Sequence, residues 1–169
     1  MSGIVRKVDE LGRIVIPKEL RKTLNIKNSD DLEITIDNNK IVLEKFYRLK
    51  NLKEALNFYY SIFEKFLSSR YIITDKENVL LASKNINFID NQKISYQLIE
   101  AIDSRRQFLD NKLLKITDNY EVNINYYFCP LIVNTDVLGS IIIFDENRIS
   151  DRDLLILDIF KFLLKEKIE

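Results

Sequence analysis

Arg6, Lys7, Arg13, Lys18, Arg21 and Lys22 all fall within one short stretch, Gly3 to Leu24, interleaved with apolar residues. Guanidinium and ammonium groups hold anions, and arginine adds a planar fork that matches two oxygens of a phosphate or a base edge. Residues 1–27 carry seven Lys/Arg against three Asp/Glu, an excess of four positive charges. Over residues 1–50 the count is eleven against eight, whereas residues 51–169 carry fifteen against eighteen. The whole chain has 26 of each sign, so only the distribution is informative: the front end is the half suited to a polyanion. A charge cluster alone describes any solvated face equally well.

Other chemistries are poorly supplied. The chain has no histidine and one cysteine, Cys129. That removes the commonest metal ligand and general base, any intramolecular disulfide and any thiolate cage. No catalytic, metal or cofactor site is expected, and the protein does not read as an enzyme. Asp145-Glu146 and Asp151/Asp153 sit at a turn and a helix start, where acids are locally favourable. Cys129 has no cation near it in sequence to stabilise a thiolate and reads as a small buried side chain. Tyr126-Tyr127-Phe128 reads as core rather than pocket lining. With 46% apolar and 31% charged residues, no leading signal-like run and no segment near ~18 apolar residues, the chain is expected in the cytoplasm, away from membranes.

The cations must be positioned by the elements around them. Residues 3–9 and 13–16 are rich in β-branched types and read as two strands joined by Glu10-Leu11-Gly12. Ile4, Val8, Ile14, Ile16, Leu20 and Leu24 supply their buried side and that of the helix that follows. Pro17 opens that helix, which is expected to run to about Asn25 with Arg21 and Lys22 outward. Asn28-Ser29-Asp30 makes a turn. Leu32, Ile34 and Ile36 then alternate with polar residues, and a hairpin turn at 37–40 leads to a returning strand from Ile41. About fifty residues of this kind bury too little surface to be secure alone, which implies a dimer.

The run Gly3-Ile-Val-Arg-Lys-Val-Asp-Glu-Leu-Gly-Arg-Ile-Val-Ile-Pro-Lys-Glu-Leu-Arg-Lys-Thr-Leu24, with Asp31-Leu-Glu-Ile34 after it, resembles the AbrB family of bacterial DNA-binding regulators over about residues 3–46. The resemblance implies two chains interleaving their hairpins into a swapped-hairpin β-barrel. It also implies double-stranded DNA contacts from Arg6, Arg13, Arg21 and Lys22, with Lys7 and Lys18 as peripheral phosphate contacts. Asn25 and Ser29 stand where the family has glycines, and Lys22 where it often has arginine. Asparagine tolerates the left-handed conformation, Ser29 implies a somewhat different turn, and lysine loses the bidentate fork.

The rest of the chain reads differently. Residues 51–69, without Gly or Pro, follow helical spacing from Leu52 through Leu56, Tyr59 and Phe63 to Phe66. Tyr71–Thr74 and Val79–Ala82 read as strands around a turn at 75–78, and residues 93–103 as a helix with Ile94, Leu98, Ile99 and Ile102 inward. Residues 107–120 are irregular. Asn123–Val133 and Val137–Phe144 read as strands around Asn134-Thr135-Asp136. A last helix, 151–167, is capped by Ser150-x-x-Asp153 and is apolar on nearly every side, as for a helix buried twice. This part is similar to a GAF domain, above all in Pro130–Asn134 and Asp136–Phe144.

The expected architecture is therefore α+β: a DNA-binding domain 1–50, a connecting helix 51–69, and a GAF-like regulatory and oligomerisation domain 70–169. Leu52, Leu56, Phe63, Leu155, Ile159 and Phe162 are its expected oligomer contacts, turning the barrel dimer into a tetramer. A small-molecule effector is a further expected partner, with no ligand motif to identify it. An AbrB-type front on a GAF-like back resembles the sporulation regulators of that family and implies control of sporulation-stage genes. The competing reading is an antitoxin-type DNA-binding protein, since AbrB-like folds also serve toxin–antitoxin operons; there the second part is a short extended tail. A GAF-type enzyme such as a sulfoxide reductase fits one cysteine and no histidine poorly.

Overall fold

The structure is a computed structural model that describes residues 3–28, 30–46 and 53–168, the side chains of 53–55 and 168 excepted. The chain divides into two compact units, Met1–Phe46 and Tyr47–Glu169.

In the first unit the Asp9 N–H donates to the Arg13 carbonyl and the Gly12 N–H to the Asp9 carbonyl, closing a turn in which Gly12 has φ 76°. The helix α1, Lys18–Thr23, starts one residue later than expected, with Pro17 at its N-cap position. It ends as a Schellman motif. Ile26 N–H reaches the Arg21 carbonyl and Asn25 N–H the Lys22 carbonyl, with Asn25 in the left-handed region at φ 52°. Asparagine does there what glycine usually does. Strands β1, Leu32–Asp37, and β2, Lys40–Lys45, pair antiparallel around Asn38-Asn39, whose φ values of 45° and 62° suit a two-residue hairpin turn.

Two expectations are corrected here. Residues 3–9 and 13–16 belong to no strand ladder among the described residues. Ile4, Val8, Ile14, Leu20 and Leu24 are exposed, Ile16 is half-buried, and only Pro17 is buried among the described residues of this unit. The physical reason is supply. Strands must pair and apolar side chains must be covered, and one copy of this unit has nothing left to do either.

The second unit is built on a five-stranded antiparallel sheet in the order β4-β3-β9-β8-β5. Its strands are β3 Arg70–Thr74, β4 Val79–Ala82, β5 Phe108–Asp110, β8 Asn125–Val133 and β9 Asp136–Asp145, with a small pair β6 Leu114–Lys115 and β7 Glu121–Val122 apart from it. The helices are α2 Lys53–Phe66, α3 Tyr96–Asp103 and α4 Asp151–Ile168. Period-two alternation sends Ile72, Phe128, Ile142 and Phe144 to one face, where Leu98 and Ile102 of α3 cover them. It sends Tyr71, Ile73, Cys129, Leu131, Ile141 and Ile143 to the other, under α2 and α4. Those two helices meet through Phe160, whose ring lies 4.9 Å from Tyr59 and 5.1 Å from Phe63, both edge-on.

Three local details refine the sequence reading. Helix α3 begins at Tyr96 because Ser95 caps it, accepting from the Leu98 N–H, so Ile94 lies before the helix in a bridge to Thr117. The irregular 107–120 stretch holds β5 and β6. At α4 the Asp153 N–H donates to Ser150 Oγ at 3.1 Å, but its carboxylate turns away to Ser68 and Ser69, replacing the expected reciprocal cap.

The expected oligomer contacts also separate. Leu56 and Phe63, at 4% and 1% exposure, belong to the core of their own chain, because the α2 stripe is consumed by the sheet and α4. They do not form an outward surface. Leu155, Ile159 and Phe162 are exposed at 60%, 50% and 62%. Leu52 lies outside the described residues.

Candidate nucleic-acid interface

The cations of the first unit are held with unequal firmness. Arg13 is fixed from below by Asp9. One carboxylate oxygen of Asp9 accepts from the Leu11 and Arg13 N–H groups at 3.0 and 2.8 Å, and the other accepts from Arg13 Nε at 2.8 Å. The Arg13 backbone N–H, then its guanidinium, holds the Asp9 carboxyl below the usual carboxylate range. Because the bond uses Nε, the two terminal nitrogens of Arg13 remain on a side chain that is 71% exposed. Asp9 was not singled out from sequence, although an aspartate shortly before a turn glycine is a recognisable Asx signal.

Arg6 is exposed, its Nη1 donating to the Val5 carbonyl at 3.2 Å. Lys7, Lys18 and Lys22 are exposed, Lys18 opening α1 and Lys22 in its last turn. Arg21 departs from the expected outward position. It is half-buried, its Nη1 lies 3.4 Å from Asn28 Oδ1, and its Nε is buried without a hydrogen-bond partner among the described residues. Nearby, Asp30 accepts from the Lys27 N–H at 2.8 Å and pairs with Lys45 at 3.3 Å, tying the α1–β1 connection to β2. Among the described residues no group of three His, Cys, Asp or Glu converges as a metal site. No described helix is long and apolar enough to cross a membrane.

Around these cations lie twelve exposed large apolar side chains, among them Ile4, Val5, Val8, Ile14, Val15 and Ile36.

Residues 5–48 match a family model described as "Antidote-toxin recognition MazE, bacterial antitoxin". Transition state regulatory protein AbrB of Bacillus subtilis (strain 168) is 64% identical over 45 residues, which are 27% of this chain and 47% of that protein. The solution structure of the N-domain of the transcription factor abrB shares 63% identity, covering 27% of this chain and 88% of that one, with a TM-score of 0.26. By its sequence identity to AbrB, the first unit is a domain of the AbrB type. Stage V sporulation protein T of Bacillus subtilis (strain 168) is 32% identical over 153 residues, 87% of this chain and 85% of that protein. The chain belongs to the family of stage V sporulation protein T.

Proposed function

We propose that this protein is a DNA-binding transcription regulator of sporulation-stage genes. Two first units interleave their hairpins into a dimeric barrel, and Arg6, Arg13, Arg21 and Lys22, flanked by Lys7 and Lys18, contact double-stranded DNA. The observation that carries the reading is the near-absence of buried residues in the first unit. Its exposed apolar side chains require a second copy, and covering them leaves the cations as the outer surface. Arg13 is the best-prepared contact, since Asp9 fixes its orientation and leaves its terminal nitrogens for a phosphate or a base edge.

The second unit is read as GAF-like, on the strength of its strand order and of the two terminal helices sharing one face. Its exposed Leu155, Ile159 and Phe162 pair two barrel dimers into a tetramer, which raises effective concentration on DNA. Work in the cytoplasm follows from this role.

The test is DNA binding by the full chain across a salt series on a sporulation-type promoter fragment, wild type beside Arg13→Ala. Wild-type affinity should fall roughly 10³–10⁵-fold between ~50 and ~200 mM salt for ~6–10 phosphate contacts. The variant should lose most of it. Weak and equal binding by both would make the cations a solvated face.

The match of residues 5–48 to the MazE description favours one second reading, an antitoxin-type module. There a short extended tail wraps a toxin, whereas residues 53–168 form a layered unit with two apolar cores. A small toxin co-purifying in fixed ratio would favour the antitoxin.

A further inference from the structure

The second unit contains a cavity of about 190 Å³ lined by Arg105, Gln107, Cys129, Leu131, Lys161 and Leu164, among others. It exists because β5 is short. β5 pairs with β8 only from Tyr126 to Phe128, so beyond Cys129 that edge of β8 has no strand beside it. The connection leaving α3 approaches there instead, and α4 lies above. Arg105 occupies the left-handed position after α3, φ 58°, where glycine or asparagine is usual.

The chemistry of the lining is divided. Arg105 has no ion-pair partner among the described residues. Lys161 is held 2.6 Å from Asp158 Oδ1, an ion pair three residues apart on α4. Burial alone would pull its pKa down, but the interactions led by the Asp158 hydrogen bond outweigh burial and carry it up, so Lys161 is charged at neutral pH. The Cys129 thiol lies 3.6 Å from the Pro130 carbonyl and 4.0 Å from Gln107 Oε1, and the Gln107 NH₂ has no partner among the described residues. Burial, partly offset by Lys161, pushes that thiol up, so it stays neutral and Asp158 is the anion already beside Lys161. Leu131 and Leu164 supply an apolar wall. A lining that combines two cations and an amide with apolar side chains fits a molecule with one anionic and one apolar part. The volume lies below the ~300–1,000 Å³ of sites for drug-sized ligands.

We propose that this cavity binds a small organic acid, its carboxylate held by Arg105 and Lys161 and its apolar end against Leu131 and Leu164. The site deepens the regulatory reading of the second unit and rests on that reading for its consequence. Lys161 and Leu164 share α4 with Ile159 and Phe162, so an occupant would fix the helix whose outer face pairs subunits.

Ligand-observed ¹⁹F NMR on the full chain without DNA tests it, with 4-fluorobenzoate as probe and inorganic phosphate as competitor. Saturable probe binding is expected, weakened about tenfold in Arg105→Gln and in Lys161→Gln, and unchanged in Lys112→Gln, an exposed lysine outside the cavity. Melting of each variant without ligand should match wild type, separating lost contacts from lost fold. Absence of saturable binding overturns the proposal, as does binding that survives both substitutions. Phosphate binding without probe binding overturns the organic-acid assignment. Because DNA is absent, failure here leaves the salt-series result standing, and the reverse holds.

Discussion

Ser69 donates its hydroxyl to Asp153 at 2.6 Å, across a sequence separation of 84 residues. The same carboxylate accepts the Ser69 and Ser68 N–H groups at 3.0 and 3.1 Å, and Asp153 is fully buried. The first turn of α4 is thereby locked to the corner between α2 and β3, ordering the two helices that share one face of the sheet. Asp153→Ala strips three donors of their acceptor, and we expect a loss of about 3 kcal/mol. Asp153→Asn keeps one oxygen and should lose less. Calorimetry of the full chain reads both, and equal melting of all three proteins would refute the lock.

Phe63 and Phe162 should respond oppositely to substitution. Phe63→Ala empties a site between Tyr71 and Phe160 and should cost about 3–5 kcal/mol of second-unit stability. Phe162→Glu changes an exposed position, so melting of the second unit should move little while sedimentation shifts from tetramer to dimer. A tetramer untouched by Phe162→Glu and by Leu155→Glu would remove α4 from the subunit interface.

Gly139 admits no side chain, because a Cβ there would collide with the Thr74 carbonyl. The next residue, Ser140, meets the Thr74 hydroxyl at 2.8 Å in a fully buried pair. Gly139→Ala must therefore push β3 and β9 apart, at an expected cost of about 2–3 kcal/mol. Chemical denaturation measures it, and a neutral result would contradict the close strand approach.

Asp9 gives the first unit an acid-resistant turn. Its folded-state pKa is lowered, chiefly by the Arg13 N–H and then by the guanidinium. The ordering it provides is complete above the unfolded carboxylate value near ~3.9 and disappears only as pH falls through the lower folded value. Amide shifts of Leu11 and Arg13 should stay constant on acidification until below the ordinary aspartate range. Asp9→Ala should weaken DNA binding several-fold while keeping a steep salt dependence, since Arg13 loses its tether and not its charge.

Local chemistry made much of the fold legible. Asn38-Asn39 between alternating residues announced β1 and β2, Pro17 and Asn25 bracketed α1, and the apolar run after Asp136 announced β9. Contacts made far along the chain were not legible. Nothing near Asp153 indicates that it bonds Ser68 and Ser69, and nothing near Arg105 indicates Lys161. An all-round apolar helix such as α4 has no period from which to tell core from outer surface, and the α2 stripe that holds Leu56 and Phe63 marks a covered face without saying whether its own sheet or another subunit covers it. The cations were visible as types. Their fixation was visible only in part: Asp9 beneath Arg13 follows from a turn signal, whereas the half-burial of Arg21 beside Asn28 depends on how the chain leaves α1.

The first unit has Pro17 as its one buried residue among those described, and a thermodynamic consequence follows for how such a regulator is titrated in the cell. A domain that gains its interior from a second chain folds and associates in one bimolecular step, so its folded fraction depends on protomer concentration. In the proposed interleaved dimer, dilution would abolish the DNA-reading surface altogether, instead of merely lowering its occupancy. Loss of binding at low copy number would be sharper than mass action on a preformed protein gives, and the chain's own abundance becomes the variable to which the promoter responds.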